Sequence, residues 1–573
     1  MTSRKLPLVA RMMRASWRRM PVKRHDAGWE PGLVVPAADG SPLVTDHYFP
    51  RAEGDFPTLL VRSPYGRGLP WSPMYGVLFA EQGFHVVLQS CRGTGGSGGR
   101  FEPWRNEPAD GRATVSWLRE QPWFNGTLAT IGPSYLGYAQ WALALDPPPE
   151  LKAMVIQVGL HDPHAFFHAG GVLHLENALA SAAGMTYQSR GTASLVRAML
   201  RLKRRLGEIA VAQPLRGSYV SAIGEEMAWL DDVLTCSDAD DPYWHGIDLG
   251  EAADRLRVPT GLITGWHDAL VDQTLQQYGR LRRAGCETAL LVGPWTHTSA
   301  FQQGWPEVVA ESLAWLRAHL CADPSGLRPT RARVHVGGEN AWRDLDDWPL
   351  SPATTAWFPT SDGHLVPQPP TGSAPQSPTG STPLASFRYD PADPTPSVGG
   401  PLLSHAAGPR DNSALEARND VLTFTGPPLA EPLDVLGPVS ARLILSTDTG
   451  YTDVVTRLCD VDPQGRSTNV CEGPARLRTT GIAGIAGITG VTGTTGIAGT
   501  TGQAPTELTV PMSSTAHRFR VGHRIRWQVS AGAHPRYARN PGTGESPLDA
   551  THFTPVRVTL HTDSALLLPS GGV

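Results

Sequence analysis

The chain has 573 residues, with 49 Lys and Arg against 53 Asp and Glu, for a formal charge of −4. Near-balanced charge argues against an electrostatic nucleic-acid binder, and ~100–200 residues per domain makes this three domains or two large ones. With 61 Gly, 52 Pro, no long apolar run and six scattered cysteines, composition excludes collagen, coiled coil, membrane bundle and disulfide mini-protein.

Residues 1–28 are basic, and Arg11, Arg14, Arg18 and Arg19 interrupt any apolar stretch of the ~7–15 residues that an export signal needs. A frayed, flexible extension is expected there, on a cytoplasmic protein. From about residue 31 the pattern turns to strand: PGLVVPAADGSPLVTDHYFP reads as a hairpin turning at Asp39-Gly40. Apolar runs at Thr58–Val61, Phe84–Leu88 and Leu128–Ile131 read as buried strands, with helices expected around Gly76–Gln82, over 109–121 and through YLGYAQWALAL. Apolar strands alternating with helices predict a parallel sheet covered on both faces.

Between about 160 and 257 the strand pattern stops. Leu195, Met199, Leu202, Leu206 and Ile209 recur at helical spacing among Arg and Lys, and EEMAWLDDVL reads as a second helix. The alternation then resumes, with strands at Thr260–Ile263 and Thr288–Val292 and helices over 273–284 and 307–320. The middle stretch is therefore expected to be a helical insertion. After about 330, short alternating runs such as ARLILST, DVVTRLCDVD, HRIRWQVS and PVRVTLH are separated by Pro, Gly and Thr, as in a β-sandwich. The tract 479–502 repeats Gly in triplet-like fashion without proline, and is expected to be a flexible loop between two strands.

The chemistry concentrates in LATIGPSYLG. A strand runs into Gly132-Pro133-Ser134 and a helix starts at once, which raises the Ser134 hydroxyl at the top of a sheet beside helix N-terminal N–H groups. The second glycine, Gly137, stands three residues after the serine rather than two. Asp268 and His297 each follow the end of a later strand, and in open α/β sheets reactive groups gather at the carboxyl ends of strands. The order Ser…Asp…His is that of an α/β-hydrolase, in which the imidazole takes the hydroxyl proton and the carboxylate orients the imidazole.

With those residues in view, the chain resembles the cocaine-esterase and X-prolyl dipeptidyl-peptidase family of serine hydrolases, from about residue 29 to near its end. The matching segments include VRSPYGRG, CRGTGGSGGRFEPW, LATIGPSYLGYAQW, GWHDAL, GPWTH and HRIRWQVSAGAHPRYARN. The resemblance implies Ser134 as nucleophile, His297 as general base, Asp268 as its partner, and an oxyanion hole made by the Tyr65 hydroxyl and the Tyr135 backbone N–H. It also implies an α/β-hydrolase domain over 29–159 and 258–329, a helical cap over 160–257 inserted into it, and a jelly-roll domain over 330–573. The expected reaction is hydrolysis of a carboxylic ester or amide through an acyl-enzyme. Release of X-Pro dipeptides is the runner-up, and a non-catalytic carbohydrate- or partner-binding protein is the alternative from another class. An α-amino acid ester hydrolase would carry acids after the triad aspartate, where Ala269 and Leu270 stand here.

Other features are weighed against bland readings. Gly93–Gly98 fits G-x-G-x-x-G, but Arg100–Pro108 with two prolines follows where a dinucleotide site needs a helix, so a turn with close backbone approach is expected. His161, His164, His168 and His174 lack carboxylate partners and are expected to be structural. Trp266, Trp295, Phe166 and Phe167 are candidate pocket residues. No cofactor and no metal is expected. The expected partner is a small ester or amide, or a short peptide, with no nucleic acid and no membrane, and homodimerisation is left open. Replacing 479–502 by a four-residue linker should leave melting temperature and activity nearly unchanged, because shortening a flexible loop changes its closure entropy only slightly. A large fall in melting temperature would mean that the tract packs as ordered strands.

Overall fold

The computed structural model describes residues 6, 8–349, 353–368, 381–478 and 504–570. The Gly-rich tract lies outside the described residues. A ten-stranded sheet organises the first part, from β1 (Ala27–Pro36), β2 (Pro42–Pro50), β3 (Thr58–Ser63), β4 (His85–Ser90) and β5 (Leu128–Pro133) through β6 (Leu151–Gln157), β7 (Thr260–His267), β8 (Thr288–Thr296), β9 (Ala332–Val336) and β10 (Ala341–Leu345). Their order across the sheet is β1-β2-β4-β3-β5-β6-β7-β8-β9-β10. From β4 to β9 every neighbouring pair is parallel, and antiparallel strands close both edges.

Strand alternation sends side chains to two separate cores. Leu59 and Val61 join one with the helix Trp305–Leu320 and the helical segment Ser72–Glu81. Leu60 joins the other with the helices Glu107–Arg119, Tyr135–Ala144 and Val271–Arg283. The insertion expected between 160 and 257 is helical. Its longest helices are Leu175–Tyr187 and Thr192–Ala210, and it is followed directly by β7. The last part is a sandwich of a seven-stranded and a four-stranded sheet around a third core that includes Phe387, Leu443, Trp527 and Leu566.

Three expectations are corrected. Residues 8–28 are not a frayed extension: the helix Leu8–Ser16 buries Ala10, and Arg14 pairs with Glu81 at 2.9 Å between two largely buried side chains. Trp17 meets the edge of Trp305 at 6.3 Å. The basic residues concealed a helix with one docked face. Secondly, the boundary expected at 330 cuts the first sheet, because β9 and β10 continue it to Leu345. Thirdly, β6 was not anticipated in LKAMVIQ, where the exposed Lys152 interrupts an otherwise buried strand.

Packing also explains the displaced glycine. A Cβ at Gly137 would lie 2.8 Å from Gly159 Cα and 3.0 Å from Ile156 Cγ2, so the helix after β5 crosses the chain leaving β6 with no room for a side chain. Gly137→Ala should therefore cost ~1–3 kcal/mol of stability by overpacking and should lower activity by tilting the helix. Thermal denaturation together with ester turnover checks this. Wild-type values in both would mean that the crossing is loose.

Candidate active site

β5 ends in a sharp turn. Ser134 has φ +58° and ψ −122°, a left-handed conformation that costs a non-glycine residue ~1–3 kcal/mol. Two hydrogen bonds hold it there, since its N–H lies 3.0 Å from the Gln157 carbonyl and 3.1 Å from that of Val158. Gly132 must be glycine too: its φ is +153°, and a Cβ would meet Leu136 Cβ at 2.6 Å. The helix Tyr135–Ala144 begins immediately, so its first N–H groups lie at the serine.

The tyrosine after β3 approaches from the neighbouring strand. The Ser134 hydroxyl and the Tyr135 backbone N–H neighbour the Tyr65 hydroxyl. Burial pushes its pKa up to about 12, against the lowering effect of those two contacts, so the phenol stays protonated and able to donate. Its loop is fixed by Arg67, which pairs with Asp46 at 3.1 Å and donates to Ser90 Oγ at 2.5 Å and to the Gly95 carbonyl at 2.8 Å. The glycine-rich turn after β4 finds its purpose here. A Cβ at Gly95 would lie 2.4 Å from Ser90 Oγ and 3.1 Å from Gly66 Cα, so backbone packs on backbone beside Tyr65.

Asp268 and His297 come from the ends of β7 and β8. His297 Nδ1 lies 2.7 Å from Asp268 Oδ1. Asp268 is fully buried, and it also accepts from Thr264 Oγ1 at 3.0 Å and from the Leu270 N–H at 3.2 Å. A carboxylate so held orients the imidazole and stabilises its protonated form.

A second layer was not legible as a motif. The Tyr135 hydroxyl donates to Glu107 Oε1 at 2.8 Å and accepts from the Trp104 N–H at 3.0 Å. Glu107 pairs with Arg62 at 3.0 Å, and both are almost fully buried. This chain ties the residue that carries the N–H donor to β3 and to the start of the helix Glu107–Arg119. Arg62 inside an apolar strand and an acid opening a helix were the available signals.

The candidate pocket aromatics are all engaged in packing contacts. Trp266 donates from its indole to the His335 carbonyl at 2.7 Å and lies against Trp348. Trp295 is wedged among Gly265, Gly293 and Gly304, where an added Cβ would approach its atoms to within 2.3–2.4 Å. Phe167 is fully buried, and its ring is 6.4 Å from Trp104, which in turn lies 4.8 Å from Tyr135. Phe166 is 7% exposed and stands edge-on to Phe167. The histidines of 161–174 are engaged separately. Burial pushes His161 and His174 down to about 3, His168 hydrogen-bonds the Val233 carbonyl, and no metal-like cluster occurs among the described residues.

Residues 39–299 match the family described as X-Pro dipeptidyl-peptidase (S15 family), and 326–566 match the X-Pro dipeptidyl-peptidase C-terminal non-catalytic domain. The cocaine esterase of Rhodococcus sp. (strain MB1 Bresler) is 32% identical over 540 residues, covering 89% of this chain and 92% of the relative. Among solved structures, an alpha-amino acid ester hydrolase superposes with a TM-score of 0.78 at 21% identity, over 97% of this chain and 99% of that one. A CocE/NonD family hydrolase from Staphylococcus aureus gives 0.66 at 16% identity, over 95% and 94%. These two establish the fold: an α/β domain with helices inserted and a β-sandwich after it. A relative one-third identical over nearly the whole length establishes more, and the chain belongs to the cocaine-esterase and X-Pro dipeptidyl-peptidase family of serine hydrolases.

Proposed function

We propose that the protein is a cytoplasmic carboxylic ester hydrolase acting through an acyl-enzyme on Ser134. His297 removes the serine proton and later protonates the leaving group, and Asp268 orients it. The Tyr65 hydroxyl and the Tyr135 N–H stabilise the tetrahedral oxyanion. The observation that carries this reading is the His297–Asp268 pair at 2.7 Å beyond the ends of β7 and β8, together with a serine held at positive φ immediately before a helix. A preorganised oxyanion donor is worth ~3–4 kcal/mol in comparable sites. Support for the location comes from the cysteines, all six of which are free thiols.

Esters are favoured over X-Pro peptides on electrostatic grounds. Capture of a free N-terminal ammonium in a desolvated cleft demands a carboxylate left available for it. Four of the five acids near the ends of the helical insertion already have a local partner, and the fifth, Asp240, is exposed to solvent. Asp162 accepts from the Ala165 N–H, Asp241 from the Tyr243 N–H and Asp238 from the Asp240 N–H. Glu176 neighbours the buried Arg536.

A fluorophosphonate should label Ser134 alone, and mass mapping checks this. Full labelling of Ser134→Ala would refute the assignment. Tyr65→Phe should lower kcat by ~10²–10³ with little change in KM, because its hydrogen bond strengthens mainly in the transition state. A rise in KM alone would make Tyr65 a binding residue. Among amides, N-acetylated and free-amine X-Pro anilides should react at similar rates. A preference above ~100-fold for the free amine, about 2.7 kcal/mol, would replace the esterase reading with the peptidase one.

A further inference from the structure

Eleven large hydrophobic residues are exposed among the described residues, and six of them lie on two helices. Leu8, Val9 and Met12 are on the helix Leu8–Ser16, and Val196, Met199 and Leu200 are on the helix Thr192–Ala210, at 36–67% exposure. Both helices are docked by their opposite faces, through Ala10 in one and through Ala198, Leu202 and Ile209 in the other. The exposed faces are also cationic. Arg11 stands beside Met12, while Arg197, Arg201, Arg204 and Arg205 flank Val196 and Leu200 in a chain whose overall charge is −4. Arg197, Leu200, Arg201, Arg204 and Arg205 line an open groove on the second helix together with Glu208, which pairs with Arg205 at 3.4 Å.

The two helices share a location. A cavity of about 320 Å³ is lined by Val9 of the first, by Ser189, Gly191 and Thr192 at the start of the second, and by Tyr65 and Arg67 of the loop after β3. Of the exposed apolar side chains only Val9 lines this cavity, which also takes in the first residue of the second helix and Tyr65. Apolar side chains interleaved with arginines on an amphipathic helix match the boundary of an anionic bilayer, where the former enter the acyl region and the latter meet phosphate headgroups. A second copy of the chain on this face would bring the four arginines of Thr192–Ala210 against their own kind, which repels. No helix of the described residues is long and apolar enough to cross a membrane.

We propose that the exposed faces of Leu8–Ser16 and Thr192–Ala210 adsorb to an anionic lipid surface and present the Tyr65 cavity to amphiphilic esters held there. Adsorption stands independently of the reaction, whereas the substrate class rests on the ester hydrolase reading. This departs from the expectation of no membrane partner.

The test is co-sedimentation of the full chain with vesicles of phosphatidylcholine alone and with one-third phosphatidylglycerol. The chain should pellet with the anionic vesicles and progressively less as salt rises. At roughly fivefold per arginine near an anionic surface, R197Q/R201Q/R204Q/R205Q should weaken partitioning more than tenfold. V196S/M199S/L200S should weaken it comparably, and both variants should keep the wild-type rate on a soluble nitrophenyl ester. Failure of the wild type to pellet with anionic vesicles overturns the proposal. So does weakening by the glutamine variant but not by the serine variant, which would mark a site for a soluble polyanion such as nucleic acid. A dimer in sedimentation velocity that the serine variant dissociates, without vesicle binding, would assign the face to a second copy and overturn the proposal equally. If adsorption holds but vesicle-borne esters are cleaved no faster than soluble ones, presentation is refuted. Inactivity on both ester types would instead strike the ester reading.

Discussion

Everything at the site depends on one backbone constraint, the left-handed conformation of Ser134. It lifts the hydroxyl off the sheet and starts a helix in the next residue, so the Ser134 hydroxyl and the Tyr135 N–H are adjacent by construction. A strain of ~1–3 kcal/mol persists only where the surroundings over-determine it. Here they do, through two carbonyls accepting from the Ser134 N–H, Gly132 without a Cβ, and Gly137 pressed on Gly159. The glycine spacing follows from that last contact. The helix needs a bare position where it crosses the chain leaving β6, and the crossing falls three residues after the serine.

The constraint is braced by charge buried beneath it. Arg62, Glu107 and the Tyr135 hydroxyl form a chain in which no member reaches solvent appreciably. Such groups are costly to bury, and removing one partner of a buried pair costs ~3–5 kcal/mol because the other is left uncompensated. What the arrangement contributes is position. It ties the first residue of the helix after Ser134 to the strand that leads into the Tyr65 loop, so the two oxyanion donors proposed for the reaction are referenced to each other. Arg67 performs a similar service on the outer side, joining the Tyr65 loop to β2 through Asp46 and to the turn after β4.

The two later residues rely on the parallel sheet itself. β7 and β8 are neighbours in register, and His267 pairs with Thr296 at their carboxyl ends. Asp268 and His297 are the next residues along, which is why a carboxylate and an imidazole separated by 29 positions meet at 2.7 Å. The buried Thr264 hydroxyl and the Leu270 N–H then fix the carboxylate, leaving its other oxygen little freedom to rotate. Strand pairing supplies proximity, and local hydrogen bonds supply orientation.

The sequence by itself determined the elements whose signal is local. Apolar runs four to eight residues long marked most strands, helical spacing marked the insertion, and the strand–Gly–Pro–Ser–helix succession marked Ser134. The order of Asp268 and His297 after later strands was equally readable, because their position depends only on where each strand ends. What tertiary structure decided depends on partners far along the chain. β9 and β10 read as part of the β-rich half until pairing with β8 placed them in the first sheet. The basic N-terminus read as frayed because its docked face is narrow and its partners, Glu81, Trp305 and Glu307, come from 67 to 288 residues away. Trp266 and Trp295 read as candidate pocket residues from their nearness to Asp268 and His297; in the fold the Trp266 indole donates to the His335 carbonyl and Trp295 is wedged among three glycines, contacts that no local pattern announces. Glu107 and Arg62 carried no motif, since a buried ion pair is defined by the meeting of two elements and by nothing in either alone.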